Sequence, residues 1–221
     1  MNRKSKKWFT ADTHFDHPNI VRGVSRWPAG SGQRDFDTVE QMNQKMIDNF
    51  NEVVHPDDEV WHLGDWSFGR IGHFAKQLNC KNIHLILGNH DKDIKRNVDG
   101  CRGFFKTVNV GYEELNIEKQ HIVLGHYSHT VWNRSHHNSW CLFGHSHGTL
   151  KRMFPSHVAL KMIEEGSLDE LKNMLSDEKL TGKTIDVGVD NHNFYPWSFE
   201  ELIEEMKSRK QIIGADEHSE R

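Results

Sequence analysis

The stretch Ile83 to Asp91, Ile-His-Leu-Ile-Leu-Gly-Asn-His-Asp, constrains the fold of this chain more than any other. An apolar run of about five residues that stops at a glycine reads as a buried strand emptying into a tight turn. The turn then presents an amide oxygen, an imidazole and a carboxylate at Asn89, His90 and Asp91. Histidine titrates near neutrality and a carboxylate can orient an imidazole, so the set suits metal-assisted proton chemistry. An ordinary Asx turn after a core strand uses the same residue types, because Asn and Asp bond their own backbone readily. Recurrence separates the two readings.

Trp8 to Ala11 is a short strand ending at Asp12-Thr13-His14. Side chains two apart on extended chain face the same way, so Asp12 and His14 can grip one ion together. Glu59 to Leu63 ends at Gly64-Asp65-Trp66, and His121 to Leu124 ends at Gly125-His126-Tyr127. Trp140 to Phe143 runs into Gly144-His145-Ser146-His147-Gly148, where His145 and His147 repeat the i, i+2 spacing. Thr184 to Val189 is a late strand, followed by Asp190-Asn191-His192.

The intervening segments supply the frame. Asp37-Thr38-Val39-Glu40 has the spacing of an N-cap with an acidic third residue, and Val39, Met42, Met46, Ile47, Phe50, Val53 and Val54 recur at helical intervals. Ile71 to Leu78 reads as a second, shorter helix. Strand-helix-strand alternation predicts parallel pairing with the loops after the strands gathered on one edge. From Phe104 onward strand follows strand over Lys106 to Val110, Tyr112 to Ile117 and His121 to Leu124, with Glu118-Lys119-Gln120 as a hairpin connection. That pattern predicts a second, more antiparallel sheet. Pro155 to Gly182 reads as a helical insertion with a capping box at Ser167 to Glu170, and Ser198 starts a closing helix. The charged tail after Gly214 reads as frayed.

With 221 residues the chain is long enough for one domain, 1 to 221, with an insertion at 155 to 182. A hydrophobic share of 35% with 10% aromatics can build a core, and no apolar run approaches membrane-spanning length. The basic start, Met-Asn-Arg-Lys-Ser-Lys-Lys, lacks the apolar segment of a signal peptide and reads as a solvated lead-in. Cys80, Cys101 and Cys141 are odd in number and unpaired in spacing, as expected of reduced thiols in the cytoplasm. A net charge of -4 leaves no global footprint for nucleic acid. The 17 histidines matter because so many stand at strand ends.

Five strand ends thus carry Asp12 and His14, Asp65, Asn89 and His90, His126, and His145 and His147. Mixed imidazole and carboxylate donors with one amide oxygen suit a pair of borderline divalent ions, one carboxylate bridging them. The order Asp-x-His, Gly-Asp, Gly-Asn-His-Asp, a lone His and Gly-His-x-His resembles the calcineurin-like metallophosphoesterases over residues 8 to 148, most closely their small bacterial and bacteriophage members. The resemblance implies an α/β fold in four layers, α-β-β-α, with two mixed sheets facing each other and a dinuclear site at the strand ends. It implies that Asp12, His14 and His147 hold one metal and Asn89, His126 and His145 the other, with Asp65 bridging. His90 is then the proton donor or charge stabiliser at the leaving-group oxygen, oriented by Asp91. The ions would be manganese, with iron, zinc, nickel or cobalt as alternatives, and the nucleophile a hydroxide shared between them.

The expected activity is hydrolysis of phosphodiesters or phosphomonoesters, on a substrate that could be a nucleotide. His17, Trp66, Arg70 and His192 are candidates to face it, and Asp190 and His192 could brace the ligands from behind. Arg26 and Trp27 are either substrate-facing or a packed surface pair, and Arg134, His136 and His137 could equally be exposed. A nuclease acting on DNA or RNA ends is the alternative, weakened by the acidic balance and the lack of a basic stripe with interleaved aromatics. A non-catalytic scaffold is the third reading, although no ligand position is missing. The sequence leaves the oligomeric state open.

Overall fold

Alternation along the strands splits the core into two slabs. The computed structural model describes residues 3–150, 160, 162–169 and 182–209. A five-stranded sheet is built from β1 (Lys7–Thr10), β2 (Glu59–His62), β3 (Ile83–Ile86), β4 (Thr107–Asn109) and β9 (Trp197–Ser198), in the order β4-β3-β2-β1-β9. Its first four strands are parallel, and β9 joins β1 antiparallel. A four-stranded sheet follows the chain: β5 (Tyr112–Ile117), β6 (Gln120–Gly125), β7 (Trp140–Phe143) and β8 (Thr184–Asp186). The fold is therefore α/β with two mixed sheets.

On the first sheet, Trp8, Val60, Ile83 and Leu85 pack with Met42, Met46 and Phe50 of helix α1 (Val39–Val53). Residues of opposite parity, Phe9, Trp61 and Ile86, pack with Ile122, Leu124, Leu142 and Ile185 of the second sheet. One helix layer and two facing sheets are thus in place. The expected helical insertion at 155–182 lies, apart from residues 160, 162–169 and 182, outside the described residues, and so does the tail after Gly214.

Four local expectations need correction. Helix α1 is capped by Thr38 with Gln41 reaching back, one residue later than expected, and Asp37 instead pairs with Arg22 at 2.9 Å. Strand β4 belongs to the first sheet: α2 (Ile71–Gln77) precedes β3, and two further short helices, α3 (Lys92–Arg96) and α4 (Val98–Cys101), then carry the chain back parallel to it. The second sheet is mostly parallel, since β5–β6 is antiparallel while β6–β7 and β7–β8 are parallel. Its hairpin turns on two residues only, Glu118 and Lys119 at φ 50° and 71°, so Gln120 already pairs with Ile117.

The basic lead-in is anchored as well as solvated. Arg3 donates to both oxygens of buried Asp58, which also accepts from Lys6 N–H, His55 N–H and the Trp8 indole. Burial would raise the Asp58 pKa; these donors overcome it and hold the carboxyl well below its usual range. The closing helix α5 (Phe199–Ser208) starts with the capping box of Ser198 and Glu201. Cys80, Cys101 and Cys141 are buried and unbridged. Among the described residues no helix is long and apolar enough to cross a membrane.

Candidate metal centre

Parallel pairing makes β1, β2 and β3 end on one edge of their sheet and β6, β7 and β8 on one edge of theirs. The facing sheets bring these edges together, the usual place for a site in an open α/β fold. Past β1 and β2 the pairing continues, with Asp12 N–H bonding Gly64 O and His14 N–H bonding Asp65 O. Gly64 lies at φ +100°, and a Cβ there would sit 2.5 Å from Gly88 N and 2.6 Å from His126 Nδ1. A Cβ on Gly88 would sit 2.2 Å from Asp65 Oδ1. The glycines that end these strands let three ligand-bearing turns touch.

Two groups of three donors result, Asp12 with His14 and His147, and Asp65 with His126 and His145. Within each group the ligand atoms lie within 4.8 Å of one another, and either group could hold a metal ion. Five of these six residues have left-handed backbone: Asp12 (φ 57°), His14 (48°), Asp65 (57°), His145 (69°) and His147 (47°). That conformation is unfavourable for side chains with a Cβ and concentrates at functional sites.

The proton inventory shows where a cation fits. His147 donates through Nδ1 to Asp190 at 2.7 Å, so in the neutral ring Nε2 is bare, and it faces His14 Nε2 at 3.2 Å. Asp12 receives the His145 N–H on Oδ2, while its buried Oδ1 has no hydrogen-bond partner among the described residues. In the second group His126 spends its Nδ1 proton on the Leu63 carbonyl at 2.8 Å. Its Nε2 then points a lone pair at Asn89 Oδ1, 2.9 Å away, and at Asp65 Oδ2, 3.5 Å away. Acceptors that converge on acceptors are what a divalent cation would satisfy. Asp65 Oδ2 also lies 3.6 Å from His14 Nε2, so this one oxygen reaches both groups.

Charge points the same way. Burial, followed by the nearby Asp186 and Asp65, pushes the Asp12 carboxyl well above its ordinary range. Burial, then Arg34 and the surrounding imidazoles, pushes His14 well below its own, and burial likewise lowers His145. His17 is pushed down to about 4, chiefly by burial and His90. Neutral imidazoles are the form that ligates, and a cation would relieve the crowding of carboxylates.

The brace behind the first group includes residues with no sequence signal. Arg34, almost fully buried, grips Asp190 through two bonds of 2.7 and 2.8 Å and also holds the carbonyls of Asp12 and Thr13. Burial would raise the Asp190 pKa, but His147 and Arg34 keep it well below the carboxylate range. Asp186 accepts from Ser146 Oγ at 2.8 Å and Gly148 N–H at 2.9 Å, shaping the loop that carries both histidines. Asp190→Asn should therefore lower Mn affinity about 10- to 100-fold in calorimetric titration, with a lower Tm because Arg34 loses its counter-charge. Unchanged affinity would remove Asp190 from the brace.

The remaining candidates divide. His90 stands at the mouth, its side chain 43% exposed and Nε2 4.0 Å from Asp65 Oδ2. Asp91 does not orient it: its two oxygens accept the N–H groups of Asp65, Trp66 and Gly88, so it fixes the turn that carries Asp65. Trp66 is buried against Phe15, Phe105 and His62 and does not face the site opening. Arg70 is exposed but tied to Asp16 through both oxygens. His192 stacks on Trp197 at 4.0 Å and lies 3.6 Å from Glu201, with no bond to a ligand. Asp190, not His192, supplies the brace. His17 is buried beside His14, with 5.7 Å between ring centroids. Phe68, which sequence reasoning passed over, covers His17 and touches His14 and His90.

No family model matches the chain. It is 37% identical over 91 residues to an uncharacterized protein of Methanocaldococcus jannaschii, an alignment covering 39% of this chain and 47% of that protein. It thus spans about half the length of that relative. It is 24% identical over 207 residues to the gene 66 protein of Mycobacterium phage L5, covering 80% of this chain and 92% of the other. The fold is shared with a protein of unknown function from Aquifex aeolicus, at a TM-score of 0.59 and 19% identity, over 91% of this chain and 99% of that one.

Proposed function

We propose that the chain is a metal-dependent phosphoesterase of the calcineurin-like kind, hydrolysing phosphodiester or phosphomonoester bonds. One observation carries the reading: Asp65 Oδ2 reaches the histidines of two separate ligand groups, 3.6 Å from His14 Nε2 and 3.5 Å from His126 Nε2. In this reading Asp12, His14 and His147 hold one cation, Asn89, His126 and His145 the other, and Asp65 serves both. When bound, the cations supply Lewis acidity toward a phosphoryl oxygen and acidify a water molecule.

The chain's own residues do the rest. The carboxylates of Asp12 and Asp65 give the site the negative charge that retains cations, and the histidines ligate as neutral rings. Arg34 and Asp190 keep His147 in the tautomer whose Nε2 is bare. Asp91 fixes the backbone of Asp65. His90, exposed at the mouth, can swing to a departing oxygen and give it a proton. The donor set has nitrogen and oxygen but no thiolate, which suits a borderline divalent ion; manganese is the one the resemblance implies, with iron, zinc, nickel or cobalt able to substitute.

The test is a hydrolysis panel on metal-stripped protein reloaded with Mn, using a bis-aryl phosphate, an aryl monophosphate, 2′,3′-cyclic nucleotides and single-stranded DNA. At least one small ester should turn over, stop with EDTA and resume with Mn. Turnover of DNA in preference to the small esters would make the chain a nuclease. Two bound metals with no turnover of anything would make it a scaffold.

A further inference from the structure

Beside the centre lies a run of rings. Phe68 is 42% exposed, stands three residues after Asp65, and is fixed there by its N–H bond to Phe15 O at 2.8 Å. It stacks on His17 with 3.8 Å between centroids and 27° between planes, and lies 5.0 Å from His90 and 5.6 Å from His14. Trp27, also 42% exposed, meets His17 edge-on at 5.4 Å and extends the run outward. An exposed phenyl ring on a rigid turn gains nothing from water, and single ones are ordinary. Here two exposed rings, Phe68 and Trp27, share one buried imidazole, His17, and Phe68 also touches His90, the residue assigned to protonate the leaving group.

We propose that Phe68, backed by His17 and flanked by Trp27, forms a subsite for a flat aromatic ring carried by the leaving group of the substrate ester. The inference rests on the phosphoesterase reading and narrows its substrate class to aryl or nucleobase-bearing esters. Phe68 touches His90, so a ring resting on it belongs to the departing alcohol and not to the far side of the phosphorus. Stacking tolerates any flat ring, so the subsite selects planarity and not one base.

Binding of phosphonates tests this without turnover, because a C–P bond is not an ester. On Mn-loaded protein, calorimetry should show benzylphosphonate binding about 5- to 150-fold tighter than ethylphosphonate, the span expected of one stacked ring. It should bind about 2- to 12-fold tighter than cyclohexylmethylphosphonate, which is as apolar but not flat. Phe68→Ala should abolish both preferences, and Phe68→Leu should restore only the apolar part. Equal affinities for the three phosphonates in the unaltered protein, or preferences that survive Phe68→Ala, overturn the subsite while leaving the phosphoesterase reading in place. If no phosphonate binds and the ester panel is also inert, both fall together.

Discussion

His90→Ala is expected to keep both cations and to lower turnover about 100- to 10,000-fold, the usual worth of a positioned general acid. The split follows from which part of His90 is tied down. Its N–H donates to Asp65 Oδ1 at 2.8 Å, a bond that alanine retains, whereas its ring is 43% exposed and belongs to neither ligand group. Removing the ring therefore spares the ligands. Metal content by mass spectrometry and kcat at saturating Mn read the two halves separately. The loss should be larger for alkyl esters than for nitrophenyl esters, because a good leaving group needs less help from a proton. Metal lost in step with activity would reject the role.

Asp65→Asn should weaken both sites together. Asp65 is buried, with Oδ1 occupied by the His90 amide and Oδ2 lying between the histidines of the two groups. An amide of the same size keeps the acceptor and loses the charge that balances two cations. We expect each Mn affinity to fall at least about 100-fold, no less than the effect of altering an outer partner of a ligand. The metal-free protein should not lose Tm, because a carboxylate that crowds Asp12 is gone. A calorimetric titration that still shows two ions at their original affinities would reject the bridge.

The six residues that the structure gathers into two donor groups were legible because each is announced locally, by an apolar run that breaks at or beside a glycine or aspartate. Gly64 and Gly88 show the physical reason, since their missing side chains make room for His126 and Asp65. What misled was adjacency along the chain. Asp91 follows His90 and Trp66 follows Asp65, yet neighbouring side chains diverge: Asp91 turns back to three amides and Trp66 enters the core. Arg34, Asp186 and Phe68 were invisible for the opposite reason, as each acquires its partner only when distant segments meet. Arg34 reaches across 156 positions to Asp190. The placement of β4 was missed because α3 and α4 are only five and four residues long, too short for a period to show.

Each ligand group draws donors from both sheets: Asp12 and His14 follow β1 while His147 follows β7, and Asp65 follows β2 while His126 and His145 follow β6 and β7. Bound ions would consequently act as rivets through the seam between the two halves, engaging only when those halves have docked. Cation supply would then set how firmly the molecule stays shut as well as whether it works, so that a chelator loosens the whole body along its midline.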